Sequence, residues 1–286
     1  LKGNLYINIL AADYCNPELC GIQTGCSIIE KKYGATHIDS VCVIDSDKKV
    51  IVNTNDCPFE LAKTSVLDIV KNYKKIDLLL VGYTGAGPYP QCFDMLNESE
   101  KNIAAEKKKK QFFKQAEDYV NLLNPKYFMP FAGRYTLSGE LSSLNDMRGV
   151  PEIEESFDYF TTESNIDEKK SKCFLLNSEE SFDLTFEHFS NSYTPIDIIE
   201  KSKYVNQYMS TQKFDYEDEV VEYEDIEKLI PLAYQRFERK RKETNFKSKC
   251  RVLISIPNNK YVVISFTGET FHIFSKDELP KFDYYV

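Results

Sequence analysis

The sequence predicts a mixed α/β protein that ends in a small β meander, and three observations predict it. Apolar strand-like runs alternate with amphipathic segments over residues 4–131; residues 98–123 hold a long helical pattern; and residues 251–274 carry three strand runs separated by turn residues.

The elements follow in order. Residues 4–11 alternate and are apolar enough for a strand. Residues 39–45 and 49–53 read as two strands joined by the polar turn Asp45-Ser46-Asp47, a β-hairpin. Residues 59–73 set Leu61, Val66, Ile69 and Val70 at helical spacing, with Thr64 available as a local cap, and lead into a buried strand over 76–81. After the loop 82–93, residues 98–123 carry Ile103, Phe112, Phe113, Ala116, Tyr119, Val120 and Leu123 on one side and charge on the other, the pattern of a long surface helix. Asn124-Pro125 stops it, because a proline disfavours helix for the residue before it, and 127–131 reads as a short strand. From Gly133 to about Asp183 the text is acidic and irregular. A second acidic stretch, 215–227, leads into a helix over 226–242, and both stretches read as solvated faces or connections. The strands 251–255, 261–266 and 270–274, with Pro257-Asn258-Asn259 and Thr267-Gly268-Glu269 between them, complete the meander. The organisation expected is a first domain over 1–245 and a β subdomain over 246–286, with no internal repeat.

Composition excludes several function classes. With 42% hydrophobic residues, 19 Tyr and 19 Phe in 286, the chain has too much apolar content to stay disordered. Lys and Arg total 36 against 45 Asp and Glu, a formal charge of −9, which argues against nucleic acid as a partner. The mean hydropathy is −0.43, and no apolar run approaches the roughly 20 residues that cross a bilayer, so no membrane partner is expected. The first residues carry neither an initiator Met nor the basic end of a signal peptide, so the chain is expected to begin inside a longer protein. Without a secretory signal, the eight cysteines (15, 20, 26, 42, 57, 92, 173 and 250) are expected as reduced thiols, and the protein as cytoplasmic.

The most informative stretches are 50–57, ending Asn53-Thr54-Asn55-Asp56-Cys57, and 77–90, where an apolar strand opens into Gly82-Tyr83-Thr84-Gly85-Ala86-Gly87-Pro88. A strand that delivers Asp56 to its carboxyl end places a hard oxygen ligand where α/β sites usually sit, and a glycine-rich strand end lets backbone approach the same spot. The alternative is that Asp56 caps the following helix and the glycines make a tight turn. A phosphate-binding loop does not fit, since no Gly-Lys-Ser/Thr follows and Pro88 and Pro90 block a helix start. His37, His188 and His272 lie far apart, and each has a bland structural reading. Cys15, Cys20 and Cys26 are spaced more loosely than the cysteine pairs of structural zinc sites. Lys107–Lys110 reads as a solvated helix face, and Arg134 either holds an anionic substrate group or makes a surface salt bridge.

In these residues the chain resembles the metallo-β-lactamase-fold family, and within it the branch that includes the C-terminal domain of CMP-N-acetylneuraminate hydroxylase and bacterial relatives. The resemblance runs from about Asn4 to Arg134 and is carried by residues 4–15, 39–57, 77–93 and 124–133, of which the last, with Pro130-Phe131-Ala132-Gly133, is the most specific. It implies an αββα sandwich incomplete at its N-terminus. It also implies a divalent metal (zinc, iron or manganese) with Asp56 as a ligand and His37 or Cys15 as a second, and a substrate pocket at Gly82, Tyr83, Gly85, Gly87 and Arg134.

The family's H-x-H-x-D-H motif is absent, and Phe131 stands where many members place their last histidine. The resemblance therefore implies part of a metal-dependent hydrolase or sugar-nucleotide-modifying enzyme acting on a small anionic substrate, its metal motif supplied by an N-terminal half or a partner chain. The alternative is a catalytically degenerate interaction or structural module that pairs with another chain.

Overall fold

The strand patterns at the start of the chain pair into one sheet. A computed structural model of the chain describes residues 4–11, 40–46, 48–131, 134–243, 245–247, 249–265 and 270–285. It is mixed α/β and falls into two compact units, residues 4–11 with 40–212, and residues 213–285.

In the first unit, β1 (Tyr6–Ala11), β2 (Ser40–Asp45), β3 (Val50–Asn53), β4 (Leu78–Gly82), β5 (Tyr127–Phe131) and β6 (Lys172–Cys173) neighbour one another in that order. The first two pairings are antiparallel and the last three parallel. The register sets Val43 beside Val52, Val52 beside Leu79 and Leu79 beside Phe128, a row of four residues with no exposed surface. Parallel neighbours need crossovers, and these are the helices α1 (Phe59–Asn72) and α2 (Glu98–Leu123). Because strand order follows chain order, crossovers of one hand place both helices on the same face. They pack together there: the Phe59 and Tyr119 rings meet edge to face at 5.0 Å, and the Tyr119 hydroxyl donates to the Cys57 carbonyl at 3.0 Å.

Local chemistry sets the element ends. The Asn97 side chain accepts from Glu100 N at 3.0 Å while the Glu100 carboxylate accepts from Asn97 N at 2.9 Å, a reciprocal cap for α2. Asn124, at φ 46°, ends that helix in the left-handed conformation that asparagine tolerates. The start of α1 is set by Pro58, so Thr64 lies inside the helix.

Asp77 stands immediately before β4, its backbone bonded to Val50 and Tyr127 on either side. Its carboxylate, 3% exposed, accepts from Val50 N at 3.1 Å and pairs with Lys75 Nζ at 2.6 Å and Lys49 Nζ at 3.4 Å. Burial pushes this carboxyl up, but the Lys75 and Val50 hydrogen bonds and the two lysine charges outweigh it and hold Asp77 below its ordinary value.

The acidic stretch beyond Gly133 differs from its expected solvated character. It folds as a 3₁₀ segment (Gly139–Met147) and α3 (Ile153–Asp158), which runs on into a π turn (Tyr159–Glu163). Phe160 is 2% exposed, with its ring edge to face against Phe128 at 5.6 Å, and Tyr159 stacks on Phe113 at 4.5 Å. Aromatic payload overrides local acidity here, because burying large rings gains more than solvating the interspersed carboxylates. The Lys107–Lys110 run is likewise only half solvated: Lys108 Nζ donates to the Tyr89 carbonyl at 2.8 Å and Lys109 pairs with Glu155 at 3.2 Å. The hairpin β7 (Phe182–Asp183) with β8 (His188–Phe189) and helix α4 (Ile198–Tyr204) complete the unit, and His188 is exposed.

The second unit holds α5 (Tyr223–Glu243) and a sheet ordered β11 (Thr270–Ser275), β10 (Lys260–Ser265), β9 (Arg251–Ile256), β12 (Tyr284–Tyr285). The first three strands are the expected meander, and His272 lies in β11. Ile230 from the helix is buried with Val262 and Ile264 of β10. Of the described cysteines, 42, 92, 173 and 250 are free thiols. Among the described residues, no helix is long and apolar enough to cross a membrane.

A group whose folded pKa is depressed contributes stability above its ordinary value and loses it as pH falls through the folded value. Asp77→Asn should therefore cost about 1–2 kcal/mol at pH 7, typical of hydrogen bonds to a charged group. Urea denaturation should show that difference shrinking below about pH 4, where the wild-type carboxyl itself protonates.

Candidate functional site

The carboxyl ends of β3 and β4 adjoin. Thr54 N donates to the Leu80 carbonyl at 3.0 Å, and Gly82 N donates to Thr54 Oγ1 at 3.0 Å. A Cβ built on Gly82 would stand 2.7 Å from the Asn55 carbonyl oxygen, so only glycine admits the turn that carries Asp56. Asp56 is exposed beside Asn55, which takes the left-handed conformation at φ 50°, and its side chain makes no hydrogen bond among the described residues. It does not cap α1.

The rest of the glycine loop is taken up by α2. A Cβ on Gly85 would meet Phe112 Cζ at 3.1 Å, and the Gly87 carbonyl accepts from Gln91 Nε2 at 2.7 Å and from the Tyr135 hydroxyl at 3.0 Å. His37 and Cys15 lie outside the described residues. Asp56 is thus the one described member of the expected ligand set, and among the described residues no three His, Cys, Asp or Glu side chains gather to hold a metal. The described residues do not by themselves fit a catalytic metal.

Just beyond the ends of β4 and β5 lies a cleft of about 580 Å³, whose lining includes Tyr83, Met129, Phe131, Arg134 and Tyr193. Tyr83 and Arg134, two of the residues expected in a substrate pocket, meet here; Gly82, Gly85 and Gly87 are not part of the wall. Arg134 Nη2 pairs with Glu152 Oε2 at 2.5 Å, the salt bridge that was one of the two uses expected of this arginine. The same carboxylate takes Lys201 Nζ at 2.6 Å and stands 3.9 Å from Arg148 Nη2, one anion facing three cations. Glu154 Oε1 accepts from the Tyr193 hydroxyl at 2.7 Å and from Ile196 N at 3.0 Å. Burial pushes Glu154 up, but these bonds outweigh it and hold it below its ordinary value.

Burial also pushes the Tyr83 phenol up to about 12; Arg134 works against this and the Glu152 and Glu154 charges add to it. Tyr193 rises too, from burial and its bond to Glu154. Both phenols therefore stay protonated at neutral pH; Tyr193 spends its proton on Glu154, which leaves the Tyr83 hydroxyl as the donor beside a guanidinium over an apolar floor. That set can hold an oxyanion or an acceptor-rich polar group.

Sequence reasoning missed Glu152, Glu154 and Tyr193, because an acidic run without periodicity carries no mark of folding back onto a strand end. The buried thiol Cys173, pushed up chiefly by desolvation, is a poor nucleophile. Comparison of the chain with protein-family models, with curated proteins and with solved structures finds no match.

Gly82→Ala should destabilise the chain by about 1–3 kcal/mol, the usual range for forcing an extra carbon into a packed site. Amide chemical shifts should move at Thr54, Asn55 and Asp56, the turn the new methyl would displace.

Proposed function

We propose that the first unit is a metallo-β-lactamase-like scaffold that binds a small anionic substrate at the carboxyl ends of β4 and β5, as part of a metal-dependent hydrolase or sugar-nucleotide-modifying enzyme. The observation that carries this reading is the cleft in which Tyr83, Tyr193 and Arg134 meet beyond two adjacent parallel strands, the position at which open α/β sheets hold ligands. In it Arg134 supplies the charge for the substrate anion and the Tyr83 phenol a neutral donor, Tyr193 being held by Glu154 as part of the wall, while Met129 and Phe131 exclude water from one side of the bound group. Phosphoryl or carbonyl chemistry in this reading depends on a divalent metal that would lower the pKa of a water. Asp56 is the described residue offered to it, with His37 or Cys15 as partner and the remaining ligands from an N-terminal half or another chain.

The interaction-module reading has its own support. Among the described residues β1 is the edge strand of its sheet, which offers backbone donors and acceptors to a further strand, and Ile7 and Ile9 on its face are 49% and 70% exposed.

Two titrations of the purified chain test the proposal. Cytidine 5′-monophosphate should bind saturably, and Arg134→Gln should weaken it about tenfold, the loss of one charge-assisted contact of roughly 1.4 kcal/mol. Unchanged affinity in that variant would remove the cleft from the substrate's path. Zinc should bind only weakly, because a catalytic zinc normally takes three protein ligands. Submicromolar binding lost in Asp56→Ala would show a complete site within the chain.

A further inference from the structure

We propose that a second, smaller pocket of the first unit, lined by other residues than the cleft, is a binding site for the oxyanion of a small phosphorylated ligand. The pocket, about 330 Å³, lies between the 3₁₀ segment Gly139–Met147 and helix α4, with Ser142, Ser143 and Asn145 on one wall and Lys201, Ser202 and Asn206 on the other.

Arg148 is the central observation. Its side chain is 5% exposed, its Nε donates to the Asn145 carbonyl at 2.8 Å, and its guanidinium sits 5.4 Å from the centre of the Tyr135 ring. Its Nη2 is 3.9 Å from Glu152 Oε1, beyond hydrogen-bond reach, and its Nη1 has no partner among the described residues. Burying a guanidinium with open N–H groups is costly, and such groups are nearly always satisfied by something. Two Nη atoms of one guanidinium form a planar fork whose spacing matches two oxygens of a phosphate or carboxylate.

The surroundings suit the same ligand. Lys109 and Lys201 are half-buried in the lining and add two further cations. Three carboxylates line it as well: Glu155 pairs with Lys109, Glu152 with Lys201, and Asp146 lies near Arg148. None of the three hydrogen-bonds Arg148, and its buried Nη1 is a donor without a partner among the described residues. The hydroxyls of Ser142, Ser143 and Ser202 make no hydrogen bond among the described residues, and they offer partners to the remaining phosphate oxygens and to the hydroxyls of a sugar or polyol.

Calorimetric titration of the full chain with glucose 6-phosphate tests this, with gluconate as the carboxylate counterpart. Saturable binding of the phosphate is expected, weakened about tenfold or more in Lys201→Gln and lost in Arg148→Gln. Gluconate binding tighter than that of glucose 6-phosphate overturns the assignment to a phosphorylated ligand. Absence of saturable binding by both probes overturns the proposal, and so does affinity unchanged in Lys201→Gln. Lys201 is exposed enough to be replaced without disturbing the core, so it decides the matter where Arg148→Gln fails to fold.

Discussion

The parallel pairing of β3, β4 and β5 is the constraint on which the first unit depends. A parallel neighbour cannot be reached by a short turn, so each pairing commits a helix to cross over the sheet. That commitment explains why the two longest helices of the unit, 59–72 and 98–123, flank β4 in sequence, and why they meet at the Phe59–Tyr119 contact. It also brings successive strand ends to one side, since parallel strands share a direction. The Thr54–Gly82 hydrogen bond and the close approach of Asn55 to Gly82 are the local results of that shared direction.

The two ends of β4 are managed by different physics. At the amino end a nearly buried carboxylate, Asp77, is held ionised by two lysines that keep their own contact with water, at 24% and 61% side-chain exposure. The pair therefore avoids much of the desolvation that makes fully buried ion pairs weak. At the carboxyl end the chain leaves the sheet through glycine and proline, and the polar groups that gather there come from elsewhere, from the segment 134–201.

Glu152 ties the two pockets electrostatically, because Arg134 faces the cleft while Arg148 and Lys201 line the smaller cavity, and all three approach one carboxylate. An anion bound in either pocket would compete with Glu152 for a cation, and the other two cations would remain to hold the carboxylate. Such sharing is less costly than breaking an isolated pair, since no buried charge is left alone.

Much of the fold was legible in the sequence. The helix 98–123, the strands 50–53 and 127–131 and the terminal meander follow from short-range rules: apolar periodicity, a stop at Asn124-Pro125, and turn residues between strands. Gly82 was legible too as a place of close backbone approach, because glycine at a strand end has few other uses. What only the tertiary structure decided is the fate of the acidic segment and the basic run. Glu152, Glu154, Arg148 and Lys201 carry no periodic signal, and their pairing spans contacts fixed by where Phe160 and Tyr159 bury themselves against β5 and α2. Local sequence determines which backbone shapes are affordable at each position; which distant charges meet depends on the packing of the aromatic rings between them, and that is a property of the folded whole.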